Sequence, residues 1–471
     1  EGGLFELLCE ARTHMGEEAL AGWLLAPAAP EEIRERHACV ADLRGRLDLR
    51  EHLGTLGGEE KAAVHPQALM SWATAPGVLG QPWIRWIAIL LPVLFAGSVI
   101  VGYLADLWLP CVVILAIEAA VLYGLRQRLT QVLNPAESAF DSDDLKTFAG
   151  LLTRIQQEPF TSRPMQALIS VFCRDGRRAS SSVERLGTIV ALAEQRRNLV
   201  VSLLLAVPFL YAIHVALAAE RWRRAHGETV QAWLAATGRF EALSALAQYS
   251  YEHPEDPFPE LIEGPACLRA QGIGHPLIPL VRCIRTDVTL VKPVRILLVS
   301  GSNMSGKSTL LRAVGLNTVL AMAGAPVRAH TMQLTPLQVG ASIRVNDSLR
   351  EGSSRFYAEI TRLRQINELT GRGLPLLFLL DEMLQGTNSS DRRIGAEGVL
   401  RALQEQGAIG IATTHDLALT ELPGLGEGIL RNVHFQDYIE NGMMRFDYEL
   451  RDGVVTKSNG IELMRAIGLR V

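Results

Sequence analysis

The sequence predicts an α/β domain at the C-terminus, preceded by an all-α region into which an apolar helical hairpin is inserted. Two observations carry this. From about residue 260, short apolar runs alternate with helical segments, the texture of a parallel sheet with crossover helices. Ahead of them stand two long, nearly charge-free runs separated by a few residues.

Residues 1–80 read as a helical segment, with Ile33, Val40, Leu43, Leu47 and Leu49 at helical spacing among Arg and Glu. Trp86 to Ala105 is twenty residues without a charge, and Trp108 to Leu125 carries only Glu118. A helix of about 20 residues crosses the roughly 30 Å hydrocarbon layer, so residues 86–125 are expected to meet lipid as a hairpin, within a segment 81–128. Trp83, Trp86, Tyr103 and Trp108 stand near the expected ends, and Arg85, Arg126 and Arg128 place both ends on the cytoplasmic side. The expected location is the inner cell membrane, with the C-terminal domain in the cytoplasm. A hairpin buried in a soluble core is the alternative.

Residues 129–240 read as a second helical domain. Asn198 to Ala219 has no formal charge, but arginines flank it on both sides, which favours the centre of a helical bundle over a third span. Arg174, Arg177 and Arg178 form a basic loop, a solvated surface or a phosphate contact.

Composition limits the function. Forty-six Lys and Arg against 50 Asp and Glu give a net charge of −4, so no overall positive field draws the chain to nucleic acid and any such contact is local. Apolar residues at 48% and a mean hydropathy of +0.16 suit a folded chain with membrane contact. The six cysteines show no Cys-x-x-Cys pair, which argues against a zinc site or a disulfide framework.

The chemistry concentrates in residues 241–471. Gly301-Ser302-Asn303-Met304-Ser305-Gly306-Lys307-Ser308 fits G-x-x-x-x-G-K-[ST] between an expected strand, Ile296 to Val299, and a helix. In such a P-loop the backbone N–H groups and the helix N-terminus face phosphates, Lys307 reaches the β and γ phosphates of ATP, and Ser308 ligates Mg²⁺. The run Leu376 to Leu380 then delivers Asp381 to the Mg²⁺ shell and Glu382 to the attacking water. The run Ile409 to Thr413 brings His415 to the same edge, as a sensor of the γ-phosphate.

Gly-Ser-Asn-Met-Ser-Gly-Lys-Ser-Thr (301–309), Asp-Glu-Met-Leu-Gln-Gly-Thr-Asn-Ser-Ser-Asp-Arg (381–392) and Thr-Thr-His-Asp-Leu (413–417) together resemble the nucleotide-site motifs of MutS-type ATPases, relatives of the ABC ATPases. Gly274-His275-Pro276, the segment Gly352 to Glu359, Asn432-Val433-His434 and Lys457 to Ile461 fit the same family. The resemblance implies an ABC-like P-loop fold and a homodimer with composite ATP sites, in which Ser354 of one subunit contacts the γ-phosphate held by Lys307 of the other. It also implies that Asn303 and Thr309 belong to the phosphate site and that Tyr448 stacks on adenine, where plain edge packing is the alternative. DNA and a MutL-type partner are implied as ligands.

The departures matter as well. No N-terminal mismatch-reading domain is recognised in this chain, and Phe258-Pro259-Glu260 stands beside the ATPase domain, away from the place of the family's base-stacking wedge. The hairpin resembles a membrane-bound branch of these ATPases. Two functions are therefore expected: a membrane-anchored ATP-driven switch that holds DNA or a DNA-associated partner in mismatch-repair-related work, or an ABC-like mechanochemical ATPase acting on a membrane or envelope partner without DNA.

Overall fold

The computed structural model describes residues 2–55, 66–139, 141–174, 176–196, 207–302, 305–343, 355–371, 373–422, 425–426, 428–440 and 443–455. The chain divides into two compact units. One comprises 1–8, 21–41 and 246–471, and the other 9–20 and 42–245. Residues 1–80, read above as one helical segment, thus contribute to both units, because apolar positions distant in sequence share each core.

In the first unit a six-stranded sheet runs in the spatial order Met443–Asp452, Leu430–Glu440, Ile296–Ser300, Ile409–Thr414, Leu376–Leu380, Gln338–Ser342. Every pairing is parallel except that of the edge strand Met443–Asp452 with Leu430–Glu440. The central strands are apolar on both faces and wholly buried, as a sheet covered by helices requires. Each buried Leu or Ile there contributes about 1.5–3 kcal/mol by leaving water. Helix Lys307–Ala323 covers the sheet, and Arg355–Leu369 and Ser389–Glu405 supply Leu363, Ile366, Ala396, Leu400 and Leu403 to a core shared with Phe378 and Leu380.

The register aligns the strand ends. Thr414 lies opposite Ser300, Ala412 opposite Leu380, and Ser342 opposite Leu380 on the other side. The loops that follow Ser300, Leu380 and Thr414 therefore leave from one rim. A second sheet of four short strands, ordered Glu260–Leu261, Thr331–Leu334, Leu268–Ile273, Thr286–Leu290, belongs to the same unit. The sequence reading did not anticipate it.

The second unit is helical. It holds residues 211–245 of the long helix Tyr211–Glu252, which begins inside the apolar run 198–219; Ala212, Ile213, Val215, Ala216 and Ala219 are buried, while 198–206 lie outside the described residues. Glu241 of this helix is buried and accepts hydrogen bonds from the Thr13 hydroxyl and, at 3.2 Å, from the Arg12 N–H.

Helices Pro82–Ala105 and Leu109–Ala139 form the hairpin, turning at Asp106, whose φ of 53° reverses the chain. Mean hydropathy reaches 2.4 over the first and 1.9 over the second, yet only 17% and 11% of the most apolar stretches are buried. Trp86, Val93, Leu109 and Tyr123 are among the large side chains left exposed. The hairpin is therefore not packed inside its unit, against the soluble-core alternative. At its open end Arg128 donates to Gln81 Oε1 at 2.6 Å, which brings the two helices together beside the arginines.

Candidate active site

The three loops at the sheet rim converge. After strand Ile296–Ser300 the chain turns at Gly301, with φ 150°, and enters helix Lys307–Ala323 through Gly306, with φ 107°. A side chain at Gly306 would be strained by that φ, and its Cβ would lie 3.1 Å from the Tyr448 ring. Ser302 and Ser305 carry buried hydroxyls with no hydrogen-bond partner among the described residues. Such orphans at a loop of this shape fit a ligand rich in acceptors. Asn303 and Met304 lie outside the described residues.

Lys307 is buried, and its Nζ donates to the carbonyls of Gly301 at 2.7 Å and Ser302 at 2.8 Å. Glu382 Oε1 lies 3.7 Å from the same nitrogen. Burial draws the Lys307 ammonium below the usual lysine range, and the carboxylates of Glu382 and Asp381 oppose that shift. The sheet rim thus brings Lys307 of the P-loop beside the acidic pair.

Thr413, at the end of the neighbouring strand, organises that pair. Its hydroxyl donates to Asp381 Oδ1 at 2.7 Å and accepts the Glu382 N–H at 2.9 Å. Glu382 has φ 51°, so the backbone turns sharply there. The Gln385 amide donates to Glu382 Oε2, and His415 Nδ1 stands 3.7 Å from Glu382 Oε1. Arg392 secures the loop between them: its guanidinium donates to the carbonyls of Leu384 and Thr387, both at 3.1 Å, and lies 3.5 Å from Asp416. The Leu384 N–H donates to buried Glu359 at 2.5 Å, which ties helix Arg355–Leu369 to the acidic loop. Ser354 lies outside the described residues.

Beside the P-loop is a cavity of about 360 Å³ whose lining includes His275, Ile278, Ile284, Thr309, Phe435 and Tyr448. Its size and apolar walls suit a flat heterocycle. Tyr448, with φ 58°, stands at the junction of this cavity and Gly306, and His275 of the Gly274-His275-Pro276 motif is on its wall. Burial, with Arg312 nearby, holds the His275 imidazole below its ordinary value.

Cradle, orphan hydroxyls and carboxylates are the donor set of a P-loop ATPase. Residues 297–470 match MutS domain V. Over 204 residues the chain is also 35% identical to the endonuclease MutS2 of Thermus thermophilus, a stretch that is 41% of this chain and 25% of that protein. The chain thus spans about a quarter of the length of that relative. The C-terminal domain is accordingly similar to the MutS ATPase domain, and ATP is the nucleotide its residues imply.

In this domain Mg²⁺ would be held by the Ser308 hydroxyl and by the Asp381 carboxylate, which Thr413 positions. When bound, the ion supplies neutralisation of phosphate charge. The sequence reading missed Thr413, Gln385 and Arg392 as site residues. All three stand inside motifs it quoted, but the roles depend on which strand lies beside which.

Proposed function

We propose that this protein is a membrane-anchored, MutS-like ATPase that works as a dimer, an ATP-driven switch acting on DNA or a DNA-associated partner. The observation that carries the ATPase reading is the convergence of Lys307, Asp381, Glu382 and His415 at one rim, with Thr413 bridging the acidic pair. Glu382 orients and polarises the water attacking the γ-phosphate in line, Gln385 holds that carboxylate, His415 beside it senses the γ-phosphate, and Lys307 neutralises charge in the transition state. Tyr448 and the cavity beside it receive the adenine. Ser354 completes the partner subunit's site, a role that rests on the family resemblance.

The membrane reading rests on the hairpin, two long apolar helices with most of their surface uncovered. Arg85, Arg126 and Arg128 at the open end support a cytoplasmic ATPase domain by the positive-inside rule. A second reading, a mechanochemical ATPase acting on a membrane or envelope partner without DNA, is favoured by the net charge of −4. Binding of duplex DNA whose affinity falls steeply with salt would select the first reading, and no such binding with or without ATP would select the second.

The experiment that tests the catalytic assignment is Glu382→Gln. ATP binding should persist while turnover falls at least about a hundredfold, since the phosphate cradle is untouched and the water loses its base. Unchanged turnover would remove Glu382 from this role.

A further inference from the structure

The basic loop of the helical unit has a structure of its own. Cys173 and Arg174 pair antiparallel with Arg178 and Arg177, and the chain then enters helix Ala179–Gln195. Arg177 thereby lines a second cavity, of about 970 Å³, together with Thr74, Glu220, Arg223, Arg224 and His226, all within the same unit.

Arg223 is only 7% exposed. Its Nη2 donates to the carbonyl of Ala75 and more weakly, at 3.4 Å, to that of Pro76, and its guanidinium lies over the Trp72 ring. Its Nε is buried with no hydrogen-bond partner among the described residues, so the two carbonyls at Nη2 leave the guanidinium incompletely satisfied.

The acids nearby do not supply the missing acceptor. Glu220 is buried and occupied: Oε1 accepts the N–H groups of Val78 at 2.6 Å and Leu79 at 2.8 Å, and Oε2 takes Arg224 at 3.3 Å. Glu228 on the lining is exposed to water. His226 sits between Trp222 and Trp233, and burial together with Arg177 and Arg185 holds its imidazole below the ordinary value. It serves as a neutral hydrogen-bonding group.

We propose that this cavity binds a phosphate group through Arg177 and Arg223, with His226 and Thr74 as neutral partners. A guanidinium matches phosphate oxygens in a way a lone ammonium does not, and the space far exceeds what a carboxylate fills. The phosphate comes either from an anionic phospholipid headgroup or from a small soluble phosphate. The cavity wall Ala73 to Gly77 lies just before Pro82, where the apolar hairpin starts, and Glu220 pins the intervening Val78 and Leu79. The site does not depend on the nucleotide reading, and only its lipid source depends on the membrane reading.

The test uses the full chain carrying Lys307→Ala, which removes the P-loop as a competing phosphate site. Inorganic pyrophosphate binding is measured by calorimetry in detergent, and thermal stability in nanodiscs of phosphatidylcholine with and without phosphatidylglycerol. Arg177→Gln and Arg223→Gln are added to the same background, with circular dichroism to verify folding. Since Arg223 also supports the Ala75 carbonyl, the exposed Arg177 provides the variant that folds regardless. Pyrophosphate uptake, or stabilisation by phosphatidylglycerol, that weakens about tenfold in Arg177→Gln supports the site. The first response identifies a soluble phosphate and the second a headgroup. Absence of both responses, or responses that neither substitution changes, overturns it.

Discussion

The Thr413 hydroxyl donates to Asp381 Oδ1 at 2.7 Å and, through the same oxygen, accepts the Glu382 N–H at 2.9 Å. One side chain on one strand therefore fixes the Asp381 carboxylate and the backbone of Glu382, both delivered by its neighbour. Thr413→Val keeps shape and volume but removes both bonds. Turnover should fall about tenfold or more, since a hydrogen bond to a charged group is worth about 1.5–3 kcal/mol, while ATP affinity stays within a few-fold. Phosphate release and equilibrium nucleotide binding, measured on the same preparation, separate the two effects.

If the ATP sites are shared between subunits, Ser354→Ala and Lys307→Ala should each cripple hydrolysis alone and complement one another when mixed. The mixed dimer retains one site with an intact lysine and an intact partner serine. Recovered ATPase activity, with heterodimer formation shown by affinity tags, is the expected result. A mixed dimer as inactive as its parents would exclude the composite site.

Glu241 gives the helical unit a pH dependence. Burial raises its carboxyl from 4.5 to about 7, and the hydrogen bonds from Thr13 and Arg12 only partly offset this. The folded state therefore holds this proton more tightly than the unfolded chain. Stability from this group is full below about pH 4.5 and is lost as pH rises through about 7, a loss of about 3 kcal/mol. Thermal unfolding followed between pH 5 and 8 should show the wild type weakening with rising pH, and Glu241→Gln should flatten that slope.

The hairpin predicts resistance to alkaline extraction. Native membranes washed with carbonate should keep the protein in the pellet. Val93→Arg together with Ile117→Arg, both at exposed positions, should release it, because a charge at mid-helix costs about 2.5–3.5 kcal/mol in lipid. Release of the unaltered protein by the same wash would argue that the two helices lie outside the bilayer.

The chemistry was legible in the sequence where it lies in contiguous letters. Lys307, Asp381, Glu382 and His415 each follow an apolar run, and the structure brings all four to one rim. The hairpin was legible for a similar reason, since a run of twenty uncharged residues carries its own message. The parts hidden from the sequence depend on register or on distant partners. Thr413 acquires its role only because Ile409–Thr414 pairs with Leu376–Leu380. Strands as short as Glu260–Leu261 show no alternation to read, and Arg223 gives no sign in the sequence of the uncapped nitrogen it buries. The interleaving of residues 1–80 between two units is likewise a property of packing.

The self-docked Lys307 has one more consequence. Two of its three N–H donors are already taken by the carbonyls of its own loop, so a ligand gains the full charge-assisted contact only by outcompeting Gly301 and Ser302. Only a highly charged polyanion repays that exchange, which turns the lysine into a filter: adenosine and AMP should scarcely recruit it, and discrimination among nucleotides should grow with each added phosphoryl group.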